Sequence, residues 1–381
     1  MQLNKTWDVI VVGGGLVGSS IAYHLTKTGV RTLLVEQGDL ASGASGANFG
    51  NVQVQDADFG LSLELTIQGA ERCAGLETEL DFDLDYRKAG SLLLIENDHQ
   101  QVLIEERAVH LDAVGLQVEL LDQDQLVELE PYLAPDTNIG GLYHPDEGQL
   151  NPFKLVHAHA LRGRESGLDV RTNTTVTGIT TQNGRVKGID TSSGHLSAGC
   201  VVLATGAWTH HLGLTAGVDI PASWVHGEAI ITEQLPPSIA NAMSSASFFE
   251  EAASPDETIV AFAMKQRIEG NIMLGEAITS TNQFNRDVAG SSIVGIAAEG
   301  QRRLPRLEQT TIIRSWGIPV AYTADNRPLL GPVDEVENLY IAAGLKSTIV
   351  LTPIVGEIMA DMITGRAVNP RMKMFSPSRI I

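Results

Sequence analysis

The first 36 residues contain a strand, a glycine-rich turn, a helix and a second strand, and this succession limits the possible folds more than any other feature. Residues 8–12 are mostly β-branched, and residues 16–28 have apolar side chains at helical spacing. Residues 30–36 are again apolar and strand-like. Two strands joined through one helix in so short a segment are typical of a βαβ unit, so we predict a parallel sheet at the start of the chain.

Three glycines in the turn have the GxGxxG spacing. Gly13 permits the tight turn, Gly15 lets a pyrophosphate approach the backbone, and Gly18 lets the helix pack on the strand. Glu36 ends the second strand, where a carboxylate accepts hydrogen bonds from a ribose diol and repels a 2′-phosphate. The pattern predicts a site for the adenosine diphosphate half of a dinucleotide at the N-terminus of the helix.

Two further segments of small residues favour FAD over a nicotinamide cofactor. Residues 38–50 are rich in Gly, Ala and Ser, so we predict a loop without an ordered helix. An extended FAD needs hydrogen-bond donors along its ribityl chain and flavin ring, whereas a nicotinamide enzyme needs no second loop directly after the ribose carboxylate. Ala204, Thr205 and Gly206 follow a later predicted strand, and this glycine lets the backbone come close to a cofactor.

The overall composition excludes several classes of function. The chain has 26 Lys and Arg against 46 Asp and Glu, and the resulting net charge of -20 repels nucleic acids and anionic membrane surfaces. Cys73 and Cys200 lie far apart in sequence, so we expect no metal site and no iron–sulfur cluster on this chain. We find no signal-peptide pattern and no apolar run of about 18 residues, which predicts a cytoplasmic protein without a membrane span.

The later part of the chain alternates strands, turns and helices. Asn-Gly and Ser-Gly turns divide residues 174–204 into three β-rich runs, which predicts a three-stranded antiparallel meander. Residues 283–303 have the pattern of an amphipathic helix. Residues 339–343 predict a strand, and we expect a helix over residues 353–363 that begins at Pro353.

These elements together predict an α/β fold with two domains. One is a Rossmann-like FAD-binding domain that includes the three-stranded antiparallel meander, and the other is a substrate or cap domain with a mixed sheet. The FAD-binding domain is expected to be discontinuous and to comprise residues 1–85, 150–219 and 320–381. The cap domain is expected to comprise residues 86–149 and 220–319.

Several motifs resemble the FAD-dependent amino acid oxidoreductases of the glycine oxidase, sarcosine oxidase and D-amino acid oxidase type. The resemblance covers nearly the whole chain. Besides the Glu36 position, its motifs are VVGGGLVGSSIAYHL, SGASGANFG, GLYHPDEGQLNP, VVLATGAW and TADNRPLLGP. Within this family, ANFGNVQVQ at residues 47–55 looks most like the flavin subunits of opine (octopine or nopaline) oxidases and of hydroxyproline dehydrogenases.

The resemblance implies oxidation of the C–N bond of a secondary amino acid, an opine or an imino acid, by hydride transfer to flavin N5. It also implies a flavin subunit of a heteromeric dehydrogenase that passes electrons to a partner subunit. Any FMN or iron–sulfur cluster would then lie on, or be shared with, the partner. Two alternatives stay open: a stand-alone glycine- or sarcosine-type oxidase that produces hydrogen peroxide, and a non-catalytic flavin-bearing subunit. A nicotinamide dehydrogenase fits the sequence less well.

The sequence departs from the resembling enzymes where they have an arginine for the substrate carboxylate. Its counterpart, the run from Trp316 to Val320, contains no basic residue, so the carboxylate needs another partner. In the family, residues 344–348 would lie against the pyrimidine edge of the flavin, where Lys346 or the backbone could stabilise negative charge. The basic residues that we consider for substrate binding or catalysis are Lys265, Arg267, Arg314 and Lys346.

Neither Cys73 nor Cys200 matches the cysteine that holds flavin covalently in monomeric sarcosine oxidases, so the resemblance implies noncovalent FAD. The histidines at positions 144, 157, 159 and 226 have no partner that the sequence identifies, and we predict structural roles for them. The residues expected to contact FAD are Gly13, Gly15, Leu16, Val17, Gly18, Glu36, Gln37, Ser42, Ser45, Gly46, Asn48, Phe49, Gly50, Asn51, Val176, Ala204, Thr205, Gly206, Trp208, Gly344, Leu345, Lys346, Ser347 and Thr348.

Overall fold

The computed structural model describes residues 6–221, 223–250, 257–281 and 284–381. Its α-helices are α1 (Leu16–Lys27), α2 (Ala44–Ala47), α3 (Leu61–Leu80), α4 (Asp98–Ala113), α5 (Gln123–Leu129), α6 (Pro152–Glu165), α7 (Thr209–Thr215), α8 (Gly290–Arg303) and α9 (Thr348–Ile363). Its strands are β1 (Trp7–Val12), β2 (Thr32–Val35), β3 (Asn51–Val52), β4 (Arg87–Lys88), β5 (Ser91–Ile95), β6 (Glu119–Asp122), β7 (Gly140–His144), β8 (Gly148–Gln149), β9 (Asp169–Arg171), β10 (Val176–Gln182), β11 (Arg185–Thr191), β12 (Gly194–Leu203), β13 (Ser223–Gln234), β14 (Ala242–Ser245), β15 (Thr258–Gln266), β16 (Asn271–Thr281), β17 (Ile312–Tyr322), β18 (Leu329–Pro332) and β19 (Leu339–Ala343).

Five parallel strands form the centre of the first sheet, in the order β9–β2–β1–β12–β19. Strand β1 is buried on both faces. Val9 and Val11 belong to the core shared with α1, α6 and α9, whereas Ile10 and Val12 belong to the core shared with the meander. Burial on both faces explains the uninterrupted apolar run of this strand. The predicted α/β fold and its opening βαβ unit are confirmed.

Strand β12 takes part in two different pairings. Its first half pairs antiparallel with β11, with Ser197 opposite Gly188. Its second half pairs in parallel with both β1 and β19, so that Val201 lies opposite Ile10 on one side and Leu339 on the other. Since β10 and β11 are also antiparallel, the predicted three-stranded meander is confirmed, and it is continuous with the parallel sheet.

Residues 38–50 contain one helical turn, α2, so the prediction of a segment without a helix is wrong. The turn packs tightly against the preceding chain. A side chain at Gly46 would clash with the backbone carbonyl of Ala41 and with the ring of Phe153. The small residues therefore permit close packing of a short helix here, whereas their effect on intrinsic helix propensity predicts the opposite.

Helix α9 begins at Thr348, so the prediction that it begins at Pro353 is also wrong. Pro353 lies inside the helix, where it removes one backbone N–H from the hydrogen-bonding pattern. The buried face, which includes Ile349, Val350 and Val355, packs in the core with α1 and α3. This packing outweighs the local cost of the proline.

The second sheet has the strand order β17–β13–β16–β15–β14–β5–β7–β6, and only the β14–β5 pairing is parallel. Ile296 of helix α8 packs on one face, against Phe262 and Leu274. Helix α8 begins at Gly290, later than the predicted start, and Gln283 lies outside the described residues. Successive side chains of a strand point to opposite faces of the sheet, so the residues that alternate with those packed against α8 face away from this helix.

A third sheet consists of the short strands β3, β8 and β4, and a buried carboxylate organises its surroundings. Glu147 accepts hydrogen bonds from the backbone N–H groups of Val54 (2.5 Å) and Gln55 (2.6 Å) and from the hydroxyl of Ser91. Burial, together with the nearby Asp56 carboxylate, raises the pKa of Glu147 to about 8. The segment that follows β3 is thereby fixed to strand β5.

Two histidines lie in the helical layer over the first sheet. His159 of α6 is fully buried, and neither of its ring nitrogens has a hydrogen-bond partner among the described residues. Burial lowers the pKa of His159 to about 3 and that of His24, on α1, to about 4. Both imidazole rings are therefore neutral at physiological pH.

These two histidines predict acid sensitivity. Their folded pKa values lie below the unfolded value, so the unfolded state binds more protons and stability falls as the pH drops from about 6.5 towards 4. In the wild type, His159 should lower the free energy of unfolding by an amount on the order of a few kcal/mol between about pH 7 and pH 4, and replacing it with leucine should remove this decrease. Urea unfolding at both pH values measures the difference. His157→Leu, at an exposed position of the same helix, is the control. An equal pH dependence of both variants would contradict this assignment.

Candidate functional site

A cavity of about 1610 Å³ lies where the parallel strands of the first sheet end, and the second sheet forms its opposite wall. The ends of β1 and β2 contribute Val12 and Val35, and the residue after β12 contributes Ala204. The carboxyl ends of parallel strands are the usual ligand position in open α/β sheets. The cavity is therefore the candidate site.

The turn between β1 and α1 forms one end of the cavity. The N-cap residue of helix α1, Gly15, has no side chain to cap the helix, and the backbone N–H of Leu16 donates to the Ser45 hydroxyl (2.8 Å). Gly13 has a φ of +109° and its Cα faces the backbone of Ala204, where a side chain would clash. A side chain at Gly18 would clash with the carbonyl of Gly13. The glycines thus leave the backbone at the helix N-terminus accessible to an anion such as a pyrophosphate.

The Glu36 carboxylate is fixed at the end of β2 by backbone groups. Its Oε2 accepts from the N–H of Gly14 (2.7 Å), and its Oε1 accepts from the N–H of Gly38 (2.9 Å). Each carboxylate oxygen has two acceptor sites, so both keep one for a ligand. Glu36 lines the cavity beside the glycine turn, which suits a ribose diol next to a pyrophosphate.

Most residues expected to contact FAD do line the cavity, and three glycines do not. Gly18, Gly46 and Gly50 are not among its described lining residues. Side chains at these positions would clash with backbone carbonyls, so the three glycines serve close packing within the protein. Thr174, Thr175 and Thr177 also line the cavity around the predicted Val176, and no sequence motif marks these three threonines.

Residues 344–348 approach the cavity between β19 and α9. Gly344 has a φ of +70° and Ser347 has a φ of +50°, which turns the chain before α9 begins. The Lys346 side chain lines the cavity, and its Nζ lies 3.4 Å from the carboxylate of Asp58. Lys346 is therefore already paired, at a half-exposed position.

The other three basic candidates lie away from the cavity lining in the described part of the chain. Arg267 pairs with Glu269 (3.0 Å) at the turn between β15 and β16, and Arg314 is exposed on β17. Lys265 is buried on β15, where desolvation and the nearby Arg267 lower its pKa to about 7. The structure thus brings only Lys346 of the four to the cavity.

The cap-side wall is one face of the second sheet. Its lining residues on β13, β16 and β17 are Val225, Gly227, Glu228, Ala229, Glu276, Ile278, Ser280, Trp316, Ile318, Pro319, Val320, Ala321 and Tyr322. Burial raises the pKa of the Glu276 carboxyl, and burial and Glu276 together raise the pKa of Tyr322 to about 12. The wall is thus apolar except for a few polar groups, as is usual in small-molecule sites.

The cysteines and the four histidines considered from sequence are not among the described residues that line the cavity. Cys73 and Cys200 are buried elsewhere with free thiols. Within the described ranges, no helix is long and apolar enough to cross a membrane, and no three metal-ligating side chains are grouped. Noncovalent attachment of the cofactor stays a prediction.

The parallel sheet, the glycine turn at the N-terminus of α1 and the Glu36 carboxylate together define a dinucleotide-binding protein. Comparison with known proteins gives the family: a model described as FAD dependent oxidoreductase matches residues 8–362. The chain belongs to this family. It is an FAD-dependent oxidoreductase, and the predictions of the family and of FAD are confirmed.

The chain is similar over its whole length to glycine oxidase of Geobacillus kaustophilus, with 27% identity over 100% of this chain and 98% of that protein. It is also 27% identical to one of the subunits of opine oxidase from Rhizobium meliloti, over 98% of this chain and 97% of the relative. The crystal structure of glycine oxidase from Geobacillus kaustophilus superposes with a TM-score of 0.90, 25% identity and 99% coverage of both chains.

Proposed function

We propose that the protein oxidises the C–N bond of a secondary amino acid, an opine or an imino acid, as the flavin subunit of a heteromeric dehydrogenase. The observation that supports this best is the similarity to the opine oxidase subunit of Rhizobium meliloti over nearly the full length of both chains. When bound, FAD accepts the hydride from the carbon next to the substrate nitrogen. The resulting imine is hydrolysed by water.

The chain's own residues position the two reactants. We propose that the glycine turn and Glu36 hold the adenosine diphosphate part, while residues 42–51 and 344–348 hold the ribityl chain and flavin ring. The proposed FAD-binding domain comprises residues 1–85, 150–219 and 320–381. The proposed cap domain, residues 86–149 and 220–319, then provides most of the substrate wall and excludes water from the reacting atoms.

Any FMN or iron–sulfur cluster belongs, in this proposal, to an electron-accepting partner or to its interface with this chain. The two buried cysteines of this chain are not grouped with other metal-ligating side chains within the described ranges. We place the enzyme in the cytoplasm.

An anaerobic flavin-reduction screen tests the proposal directly. Octopine, nopaline, hydroxyproline, proline, sarcosine and glycine are each mixed with the FAD-loaded chain, with and without a co-expressed neighbouring subunit. We expect an opine or imino acid to bleach the flavin absorbance, and turnover with an artificial acceptor to depend on the partner. If no secondary amine bleaches the flavin, the proposed function is wrong.

A second candidate function is a stand-alone oxidase of glycine or sarcosine. It is favoured by the similarity to glycine oxidase over 100% of this chain and by the TM-score of 0.90 with a glycine oxidase structure. This alternative predicts stoichiometric hydrogen peroxide from the single chain in air. Activity that requires a partner subunit would exclude it.

A further inference from the structure

Glu276 lies at the point where the cap-side wall reaches the segment proposed to hold the flavin. The residue before it, Gly275, faces Phe49, and a Cβ built on Gly275 would lie 2.9 Å from the ring of Phe49. On the neighbouring strand, the absence of a side chain at Gly227 leaves room for the Glu276 carboxylate, whose Oε2 lies 3.6 Å from the Cβ position there. The carboxylate is thus directed into the cavity.

Tyr322 connects the same part of the wall to the other flavin-side segment. It ends strand β17 and lines the cavity, and burial beside Glu276 keeps its phenol neutral by raising its pKa. The next residue, Thr323, packs on Gly344, with 3.3 Å between the Thr323 Cγ2 and the Cβ position of Gly344. Glu276 and Tyr322 are therefore placed between residue 49 and residue 344, the two segments that flank the proposed flavin position.

Most acidic groups of the cavity are already partnered. Glu36 accepts from backbone N–H groups, Asp58 pairs with Lys346, and Glu228 accepts from the N–H of Ala289 (2.9 Å). The side chain of Glu276, by contrast, makes no hydrogen bond or ion pair with any described residue. A carboxylate in an apolar wall without a partner is costly, and a cationic ligand removes that cost.

The cations that line the cavity do not supply this partner. Arg286 is exposed and donates to the carbonyl of Ser42 (3.1 Å), and Lys346 pairs with Asp58. A second acidic side chain, that of Asp56, also lines the cavity and has a buried Oδ1 without a hydrogen-bond partner in the described structure. Among the described lining residues, the five acidic side chains (Glu36, Asp56, Asp58, Glu228 and Glu276) outnumber the two of Lys and Arg, which favours a ligand that enters as a cation.

We propose that Glu276 binds the amine nitrogen of the substrate and accepts its proton. This inference rests on the proposed oxidation of a C–N bond. An amino acid enters as an ammonium ion, whose nitrogen has no lone pair to release. An N–H bond breaks, the proton forms an O–H bond with Glu276, and the electron pair stays on nitrogen to stabilise the carbon as its hydride leaves for FAD. No other co-reactant is needed.

The surroundings of Glu276 suit a proton acceptor. Burial alone raises the pKa of its carboxyl, which brings that pKa closer to that of an ammonium group. Strand β13 contributes Val225, Gly227 and Ala229 to this wall, and its titratable lining residue, Glu228, accepts from the N–H of Ala289. The titratable groups on the surrounding elements are Glu228 on β13, Tyr322 on β17, Lys265 on β15, Arg286 before α8, and Asp56, Asp58 and Lys346 on the cofactor side.

The test replaces Glu276 with glutamine in the FAD-loaded enzyme and uses the amine that reduces the wild-type flavin. We expect the limiting rate of anaerobic flavin reduction to fall about 100-fold or more near neutral pH, as for loss of a general base. The rate should recover as the pH approaches the pKa of the substrate ammonium, because free amine then binds directly. Glu276→Asp should retain part of the activity. Binding of a substrate analogue whose α-hydrogen is replaced by methyl should weaken at least about 10-fold, which calorimetry measures.

Glu308→Gln, at an exposed position, is the control and should behave as wild type. FAD content and the thermal midpoint of each variant separate a folding defect from a loss of chemistry. A Glu276→Gln enzyme that retains the wild-type reduction rate and pH profile would overturn the inference. If no amine reduces the wild-type flavin, the proposed function fails instead, and the two outcomes are distinguishable.

Discussion

Gly13→Ala is expected to purify as a protein without bound FAD. A methyl group at residue 13 would clash with the carbonyl of Ala204, and a φ of +109° disfavours any L-residue there. The chain must then shift at the point where we propose that the backbone approaches the pyrophosphate. A displacement that costs about 3 kcal/mol of binding lowers FAD affinity more than 100-fold. The ratio of flavin to protein absorbance after gel filtration measures the effect.

Gly29→Ala is the matched control for this variant. Gly29 also has a positive φ, of +82°, but no atom lies within 4 Å of its Cβ position. This variant has the same kind of backbone strain, of about 1 kcal/mol, without the clash. We expect it to keep its FAD. Normal flavin content in Gly13→Ala would show that the glycine turn does not bind the cofactor.

Glu147→Ala should produce the largest loss of stability. It leaves the buried N–H groups of Val54 and Gln55 and the hydroxyl of Ser91 without their acceptor. Each unsatisfied buried group costs about 1–3 kcal/mol, so we expect a loss on the order of 4 kcal/mol in the free energy of unfolding. Urea unfolding followed by circular dichroism measures it. Asp146→Ala is the control, because its ion pair with Lys88 is exposed and contributes at most about 1 kcal/mol.

The same carboxyl also predicts a pH dependence with the opposite sign to that of His159. The pKa of Glu147 is raised to about 8, so the folded state binds more protons than the unfolded state between its unfolded and folded pKa values. Its contribution to stability is present at low pH and is lost as the pH rises towards 8. Glu147→Gln should flatten this part of the curve. An unchanged slope between about pH 5 and pH 8 would contradict a protonated Glu147 in the folded protein.

The cofactor side of the molecule follows from local sequence, whereas the substrate side does not. The glycine turn and Glu36 are close in sequence, and the chemistry of each position is set by local backbone geometry. The side chain of Glu276 reaches the cavity only because the pairing register of β16 places that face inward, and a shift of one residue would reverse it. The position of Lys265 could not be predicted for the same reason, because the sequence of β15 does not show at which residue of the strand the cavity ends. No short motif encodes such long-range pairings.

The two wrong predictions of helices share a cause. For α2 and for the start of α9, the predictions rested on the intrinsic preferences of glycine and proline. In the structure, close packing of Gly46 on Ala41 and burial of Ile349 and its neighbours outweigh those preferences. Tertiary contacts of this kind decide the ends of the helices that border the cavity.

The double pairing of β12 has a consequence for biosynthesis. Strand β1, made within the first 12 residues, can pair early with β2, but its other neighbour, β12, is complete only after residue 203 has been made. The sheet gains β19 only near residue 343. Ala204 and Gly344, which border the cavity, are likewise far from Gly13 in sequence. The cavity lining thus comes from segments far apart in sequence, and their contacts form late because they close large loops. A ribosome-bound N-terminal half has the glycine turn but cannot enclose FAD, so flavin incorporation follows synthesis of the C-terminal strands.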